Sequence, residues 1–541
     1  MLEGKNVWNK WFQRGMEDRR IGSRTVYTFS DMKKSFYHIL KETAEAYPEK
    51  IGLCDNWDRS YTYRRFLQMV DNLAAFLKRE MQVKKGDHAG LLLNNGMEFA
   101  VSFYAVCKLG AVAVPFPTKY REPEVRALAD KADLKCILVS EDYKGWTSVC
   151  EEAGIPVLFT RDEEQEYGFS YLKLPDAPKE EGVGELTDEM ILMFTSGTTS
   201  ASKGVVLKNY NINHAVMIYQ RLLELGPEDK TIIPVPIYHI TGLVALLGLF
   251  VYLGGTAYLY KRYDAKRILE SVCRHEITFM HGSPTVFGML LDYQKDFPRL
   301  SSIRTLACGS SYLPVETLKK LHRWMPKMKL QTVYGMTETA SPGTVFPYDA
   351  ATSIYPGSQG KPVPGMELKI VDEEGKEVPD GTVGVVFLRG ANICEYYYRP
   401  DTPLITEDGW LDTGDLGYIN EDSYVFIVDR KKDMINRGGE KIWCTDVEDE
   451  LIAIEEVRDA AVVGIPDTVY GEVAAAVVVP KEPGHVTQED LKERLKTRLA
   501  RYKIPEQILF VEAVPKTPGL KTDKRRIKEL FAEKQMDKRE E

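Results

Sequence analysis

The sequence predicts an α/β protein in two parts. A large N-terminal domain of helix-covered, mostly parallel sheets is expected over residues 1–430, and a small, mobile α+β unit over 433–541, with a hinge near Lys432. Three observations carry that expectation. At 541 residues the chain exceeds what one ordinary hydrophobic core serves. Helical and strand patterns alternate along its larger part, as in parallel sheets with helical crossovers. Near residue 430 the texture changes: "DRKKDMINRGGEKI" is dense in charge and glycine, as a linker or mobile loop is, and a second αβ pattern follows it.

The elements follow in order. "YTYRRFLQMVDNLAAFLKRE" (61–80) has helical periodicity. "HAGLLLNNG" (88–96) and "AVAVPF" (111–116) read as strands around the helical "MEFAVSFYAVCKLG", and "CILVSED" (136–142) is a further strand. "ITGLVALLGLFVYLGGTAYLY" (240–260) has the length and apolarity of a membrane span. The Gly254-Gly255 break and the strand-like "TAYLY" predict a buried helix and a buried strand instead. Beyond residue 440 come a helix in "TDVEDELIAI", strands in "VRDAAVVGIP" and "EVAAAVVVPKE", and a helix in "QEDLKERLKTRLARY".

Composition narrows the class. Hydrophobic content of 44% and charged content of 28% are those of a globular protein. A net charge of −9 argues against a nucleic-acid binder. Eight cysteines without paired spacing fit a reducing, cytoplasmic setting and no metal knuckle.

Several stretches carry chemistry. "MFTSGTTSASKGVVL" (193–207) crowds hydroxyls, glycines and Lys203 between two apolar runs. Its order is inverted relative to a P-loop, and it reads as a loop between strands that wraps phosphate, or as a plain flexible linker. In "QTVYGMTETA" (331–340), Tyr334 offers a ring for a nucleobase and Glu338 an acceptor-only carboxylate for Mg²⁺; an amphipathic surface turn is the alternative. In "GWLDTGDLGYI", Asp415 follows a glycine in an expected turn, placed to hold a ribose or to bond its own backbone. Arg430 is a second ribose or phosphate candidate, and Lys521 sits in a Pro/Gly/Thr-rich loop near the C-terminus.

In this order and at these separations the stretches resemble the adenylate-forming superfamily of acyl-CoA synthetases, luciferases and adenylation domains. The resemblance runs from "AEAYPEKIGLCD" (Ala44 onward) to "KRRIKEL" (ending at Leu530). It implies that Thr195, Ser196, Gly197, Thr198, Thr199 and Lys203 close over the β- and γ-phosphates of ATP. Gly309, Ser310, Ser311, Tyr334, Gly335 and Met336 would line the adenine. Thr337 would meet the α-phosphate, Glu338 the Mg²⁺, and Asp415 and Arg430 the ribose. Lys432 would be the hinge. Lys521 would be the lid lysine that reaches the reacting carboxylate. Gly438 and Gly439 would border the passage for coenzyme A once the lid has swung. Two positions depart from the family pattern: Ser202 stands where a proline usually precedes the loop lysine, and Leu520 where a glycine usually precedes the lid lysine.

The acid pocket is expected near "PVPIYHITGLVALLGLF" and "FMHGSPTVF", with Tyr238, His239, Thr241, Gly242 and Gly282 facing the acid. His239 resembles the gate residue of coenzyme A ligases. No aspartate is present there to pair with an amino acid's ammonium group. The apolar helix, with Gly242 and Gly248 leaving room for an alkyl chain or serving close packing, favours a medium- or long-chain fatty acid over an aryl acid. The function so implied is ATP-dependent acyl-CoA ligation with acyl-AMP as intermediate. Alternatives are an aryl-CoA ligase, an enzyme loading a carrier protein's phosphopantetheine, a luciferase-type oxidation, and a non-catalytic nucleotide-binding protein. The partners implied are a small carboxylic acid and coenzyme A, in a monomer or homodimer.

Overall fold

The computed structural model describes residues 1–56, 59–162, 167–168, 180–195, 203–399, 405–517 and 521–540. Two large sheets carry most of it. One has nine strands, in the order Lys361–Pro362, Thr344–Val345, Lys329–Tyr334, Thr305–Cys308, Phe279–Gly282, Lys230–Ile233, Thr256–Leu259, Ile51–Asp55 and Ser60–Thr62. The central strands, from Lys329–Tyr334 to Ile51–Asp55, are all parallel. The other has eight strands and runs from Tyr167–Gly168 through Val157–Asp162, Leu134–Ser140, His88–Leu92, Val112–Pro115, Glu189–Thr195 and Lys203–Lys208 to Tyr397–Tyr398. Parallel pairing stops at Glu189–Thr195, which turns back antiparallel onto Lys203–Lys208.

Helices Phe36–Ala46, Tyr63–Glu80, Met97–Lys108 and Asn209–Leu223 share one core with these sheets. Every residue of Met97–Lys108 is buried, Lys108 included. Its ammonium reaches Asp71 at 2.8 Å, so the buried charge is paired. The apolar stretch folds as expected: continuous helical structure over Ile240–Leu253, with one π-helical turn at Leu243–Gly248, then the strand Thr256–Leu259. Gly254 ends the helix at φ +72°, a conformation that glycine adopts without strain. Among the described residues no helix is long and apolar enough to cross a membrane.

The prediction of mostly parallel sheets misses a third sheet. Leu2–Glu3, Met366–Val371, Gly384–Gly390, Leu411–Ile419 and Val425–Arg430 pair antiparallel throughout. The short link between Leu411–Ile419 and Val425–Arg430 makes a hairpin, which antiparallel pairing allows and parallel pairing does not.

Beyond Lys432, "DRKKDMINRGGEKI" is no irregular linker. Ile435–Arg437 and Glu440–Ile442 form a hairpin whose two turn residues, Gly438 and Gly439, sit at φ +60° and +98°. Val457–Asp467 and Gly471–Pro480 pair over their full lengths, and Gln507–Phe510 adds a parallel edge. Helix Cys444–Ile452 matches expectation. The helix in "QEDLKERLKTRLARY" covers only Gln488–Lys496, because the apolar residues after it pack from a short 3₁₀ turn.

Candidate active site

The site forms at the carboxyl ends of the parallel strands of the nine-stranded sheet, where open α/β sheets bind ligands. Gly282, Gly309 and Tyr334 lie at or just beyond the ends of three adjacent strands. Gly309 N–H donates to the Gly282 carbonyl at 3.1 Å. A Cβ on Gly309 would lie 2.7 Å from the Val333 carbonyl oxygen, so the backbone can turn there only without a side chain. Ser310 follows at φ +71°, a left-handed conformation costly for serine, and presents itself and Ser311 to solvent.

Tyr334 closes its strand, and Gly335 and Met336 lead into the 3₁₀ turn Thr337–Thr339. Asn392 donates to the Thr339 carbonyl and fastens the turn from below at 2.9 Å. Glu338 is fixed by its backbone, whose carbonyl accepts from Cys394 N–H at 2.8 Å. Its Oε1 accepts from the Tyr397 hydroxyl at 2.9 Å.

Asp415 does not sit in a turn. It belongs to the strand Leu411–Ile419, directly opposite Arg430 on Val425–Arg430. Gly414 at φ +68° bends the strand without ending it. Arg430 Nε approaches Asp415 Oδ1 at 3.2 Å, and the Tyr334 hydroxyl donates to Oδ2 at 2.7 Å. Tyr334 is thus held at its phenol, its ring the candidate face for a nucleobase. Burial raises the Asp415 pKa, with Arg430, Tyr334 and Lys521 opposing.

Lys521 enters this site from the C-terminal unit. Its loop is closed by the bridge between Lys516 and Thr522, and Thr517 N–H donates to the Lys521 carbonyl at 2.7 Å. Lys521 is exposed, with a large mass of protein nearby. That surrounding mass lowers its pKa, as does Arg430; Asp415 and Glu338 oppose. His239 feels Lys521 as well. Its imidazole is pushed down to about 4, by burial first and by Lys521 and Lys119 after it, so it is neutral at pH 7. The ring packs on Tyr238 at 4.6 Å, and Tyr238 is buried too. Lys432 is exposed beside Arg430 and Asp415.

Of the phosphate-loop candidates, Thr195 and Lys203 form the last pair of the hairpin, which the two apolar runs anticipated. Ser196, Gly197, Thr198 and Thr199 lie outside the described residues. Thr241 and Gly242 begin the apolar helix next to His239. Gly438 and Gly439 are not brought to this cluster. Gly438 N–H donates to the Tyr470 carbonyl, and Gly439 N–H to Asn436 Oδ1, all within the C-terminal unit.

Two contributors escaped the sequence reading. Asn95 ties the acid-side loop, accepting from Ile237 N–H at 2.9 Å and donating to the Val235 carbonyl at 3.0 Å. Its signal was a polar pair, "NN", just after an apolar strand. Tyr397 is the second, marked by three consecutive tyrosines at 396–398.

Comparison with known proteins decides the family. Residues 40–398 match the model of the AMP-binding enzyme family, and residues 446–521 match that of its C-terminal domain. The chain belongs to the AMP-binding enzyme family. Among relatives, the oxalate–CoA ligase of Arabidopsis thaliana is 29% identical over 92% of this chain and 98% of its own. A feruloyl-CoA synthase of Amycolatopsis is 32% identical over 87% and 94%. The ATP-bound crystal structure of MatB from Rhodopseudomonas palustris superposes with a TM-score of 0.85 at 25% identity, over 92% of this chain and 98% of that one. The relatives named are CoA ligases and synthetases, and the chain is an ATP-dependent acid–thiol ligase.

In this AMP-binding enzyme the C-terminal unit also touches the "GSSYLP" segment. The Tyr312 hydroxyl donates to Asp449 Oδ2 at 2.6 Å. Burial pushes the Asp449 carboxyl up to about 6, the Tyr312 hydroxyl opposes, and nearby Glu448, Asp446 and Glu450 add to the rise.

Proposed function

We propose that this ligase joins a compact carboxylic acid, aryl rather than long-chain alkyl, to AMP with release of pyrophosphate, and then passes the acyl group to the thiol of coenzyme A. The observation that carries this reading is the convergence of Lys521 with Glu338, Asp415, Arg430 and His239 in one cleft. An acid carboxylate must approach a phosphate that is itself negative. Lys521 offsets charge on both partners, and the neutral His239 accepts an anion beside it without adding repulsion. Asp415 and Arg430 hold the ribose, Thr337 the α-phosphate, and Thr195 and Lys203 the outer phosphates.

Mg²⁺ fits Glu338. Oε1 is held by Tyr397, and Oε2 accepts from no described residue. No cluster of three metal-ligating side chains exists among the described residues, as suits a cation carried largely by phosphate oxygens. When bound, Mg²⁺ supplies charge neutralisation at the phosphates. The segment beyond Lys432 acts as a lid: it brings Lys521 for the first half-reaction and withdraws it for the second, when Gly438 and Gly439 border the thiol's path. Free cysteines, seven of the eight buried, suit a reducing cytoplasmic setting.

Size of the acid is argued from the helix beside it. A Cβ on Gly248 would lie 2.6 Å from the Phe36 ring, and one on Gly242 2.5 Å from the Pro236 carbonyl oxygen. Both glycines serve close packing, so neither opens the alkyl tunnel that favoured a fatty acid. The feruloyl-CoA relative supports an aryl acid. A panel of aryl, short and long-chain acids, read by pyrophosphate release and then by thioester formation with free coenzyme A, tests this. Aryl acids are expected to exceed dodecanoate in kcat/KM by at least ~10-fold, on the scale of one or two misfitted methylenes. Preference for dodecanoate would restore the fatty-acid reading. Pyrophosphate release without any thioester on coenzyme A would favour a carrier protein as acceptor.

A further inference from the structure

Three consecutive tyrosines occupy the outermost strand of the eight-stranded sheet and the residue before it. Each hydroxyl donates to a carboxylate on a different element: Tyr396 to Glu189, Tyr397 to Glu338, and Tyr398 to Asp133. Tyr396 and Tyr398 do so at the surface, where such bonds contribute little. Tyr397 differs. It is 5% exposed, and its partner is the one acidic side chain of the 3₁₀ turn at the cleft.

The connections of Tyr397 run in two directions. Through its backbone it pairs with Val205, on the strand that Lys203 opens, while Tyr398 pairs with Gly204. The approach is close: a Cβ on Gly204 would lie 3.0 Å from the Tyr398 Cβ. Through its hydroxyl it holds Glu338 Oε1. Cys394, three residues earlier, holds the Glu338 backbone carbonyl at 2.8 Å. One short segment therefore grips the glutamate at both ends and is stitched to the strand that Lys203 opens.

We infer that Tyr397 is a positioning residue, which fixes the Glu338 carboxylate in the orientation that offers Oε2 to the metal and couples that orientation to the phosphate hairpin. The inference rests on the proposed assignment of Glu338 to Mg²⁺. A free glutamate samples several rotamers, and a charge-assisted hydrogen bond to one oxygen selects among them. Partners of metal-binding carboxylates commonly contribute 10- to 100-fold in metal affinity by this means. The tyrosine ring also fills the buried space around the turn, so the hydroxyl can be tested apart from the ring.

Tyr397→Phe in the full-length protein keeps that ring. ATP binding is measured by calorimetry in the presence of a chelator and again with saturating Mg²⁺ or Mn²⁺. Metal-free ATP affinity is expected to match wild type, while the gain on adding metal falls by about 10-fold. The Mg²⁺ concentration for half-maximal pyrophosphate release should rise by about the same factor. Thioester formation from synthetic acyl-AMP should be unchanged. A wild-type metal gain in Tyr397→Phe overturns the inference. So does an equal loss in metal-free binding and in the thioester step, which would mark a purely structural tyrosine. Glu338→Gln serves as the reference. If it retains the metal gain, the assignment of Glu338 fails and this inference with it; if it loses the gain while Tyr397→Phe keeps it, only the role of Tyr397 fails.

Discussion

Replacing Lys521 with alanine is expected to slow acyl-adenylate formation by at least ~10²-fold, the scale of losing one preorganised charge-stabilising donor. The physical reason lies in the company Lys521 keeps. Among the groups whose fields it meets are two carboxylates, Asp415 and Glu338, and two cations, Arg430 and Lys432. Arg430 is already committed to Asp415 at 3.2 Å. Lys521 is exposed and comes from the C-terminal unit. Thioester formation from supplied acyl-AMP should largely survive, because the charged attack has then already taken place. Single-turnover pyrophosphate release and the acyl-AMP assay, run on the same preparation, separate the two steps. Equal losses in both would contradict a lysine that serves only the first.

Gly335→Ala is expected to be as damaging for a different reason. A Cβ at this position would fall 1.7 Å from the Ser341 carbonyl oxygen and 2.9 Å from Thr339 Oγ1. The obstructing atom is backbone, and it has little freedom to give way. Ala340 and Ser341 already hold φ values of +49° and +100°, and Ser341 Oγ shares a 2.8 Å hydrogen bond with the buried Tyr219 hydroxyl. Relieving the clash must move the Thr337–Thr339 turn, and Glu338 with it. Overpacking of this kind costs ~1–3 kcal/mol or more. A melting midpoint lower by about 1–3 °C, together with loss of nucleotide binding by at least ~10²-fold, is the expected result; the first follows from the strain and the second from displacement of the turn. Wild-type ATP affinity in this variant would show that the turn tolerates a side chain.

Much of the fold was legible because its signals are local. Alternation of apolar runs with helical periodicity identified the parallel sheets, and two apolar runs flanking a Ser/Thr/Gly stretch identified the hairpin Glu189–Thr195 and Lys203–Lys208. Gly254 marked the end of the apolar helix. What escaped depends on partners distant in the chain. A glycine before Asp415 suggested a turn, since nothing local reveals that Arg430 lies directly across a ladder from it. The glycine pair in "NRGGEK" suggested a loose linker, because a two-residue hairpin turn and a flexible joint use the same residue. Gly242 and Gly248 left tunnel and close packing equally open, since nothing local reveals the Pro236 carbonyl beside the first or the Phe36 ring beside the second. At the site, the charged and glycine positions were legible through their motifs, whereas Asn95 and Tyr397 act through hydrogen bonds that span more than 50 residues in sequence.

Lys524, on the C-terminal helix, stands 3.7 Å from Asp429 and 3.9 Å from Asp433. Burial acts to lower its pKa, but Cys444, Glu448 and the two aspartates raise it well beyond the ordinary value. Asp429 precedes Lys432, the proposed hinge, and Asp433 follows it, so this one ammonium meets a carboxylate on each side of that residue. On the proposed swing, Asp429 stays behind while Lys524 departs, and each must be rehydrated. Leaving this pose on that swing therefore includes the cost of parting a half-buried ion pair.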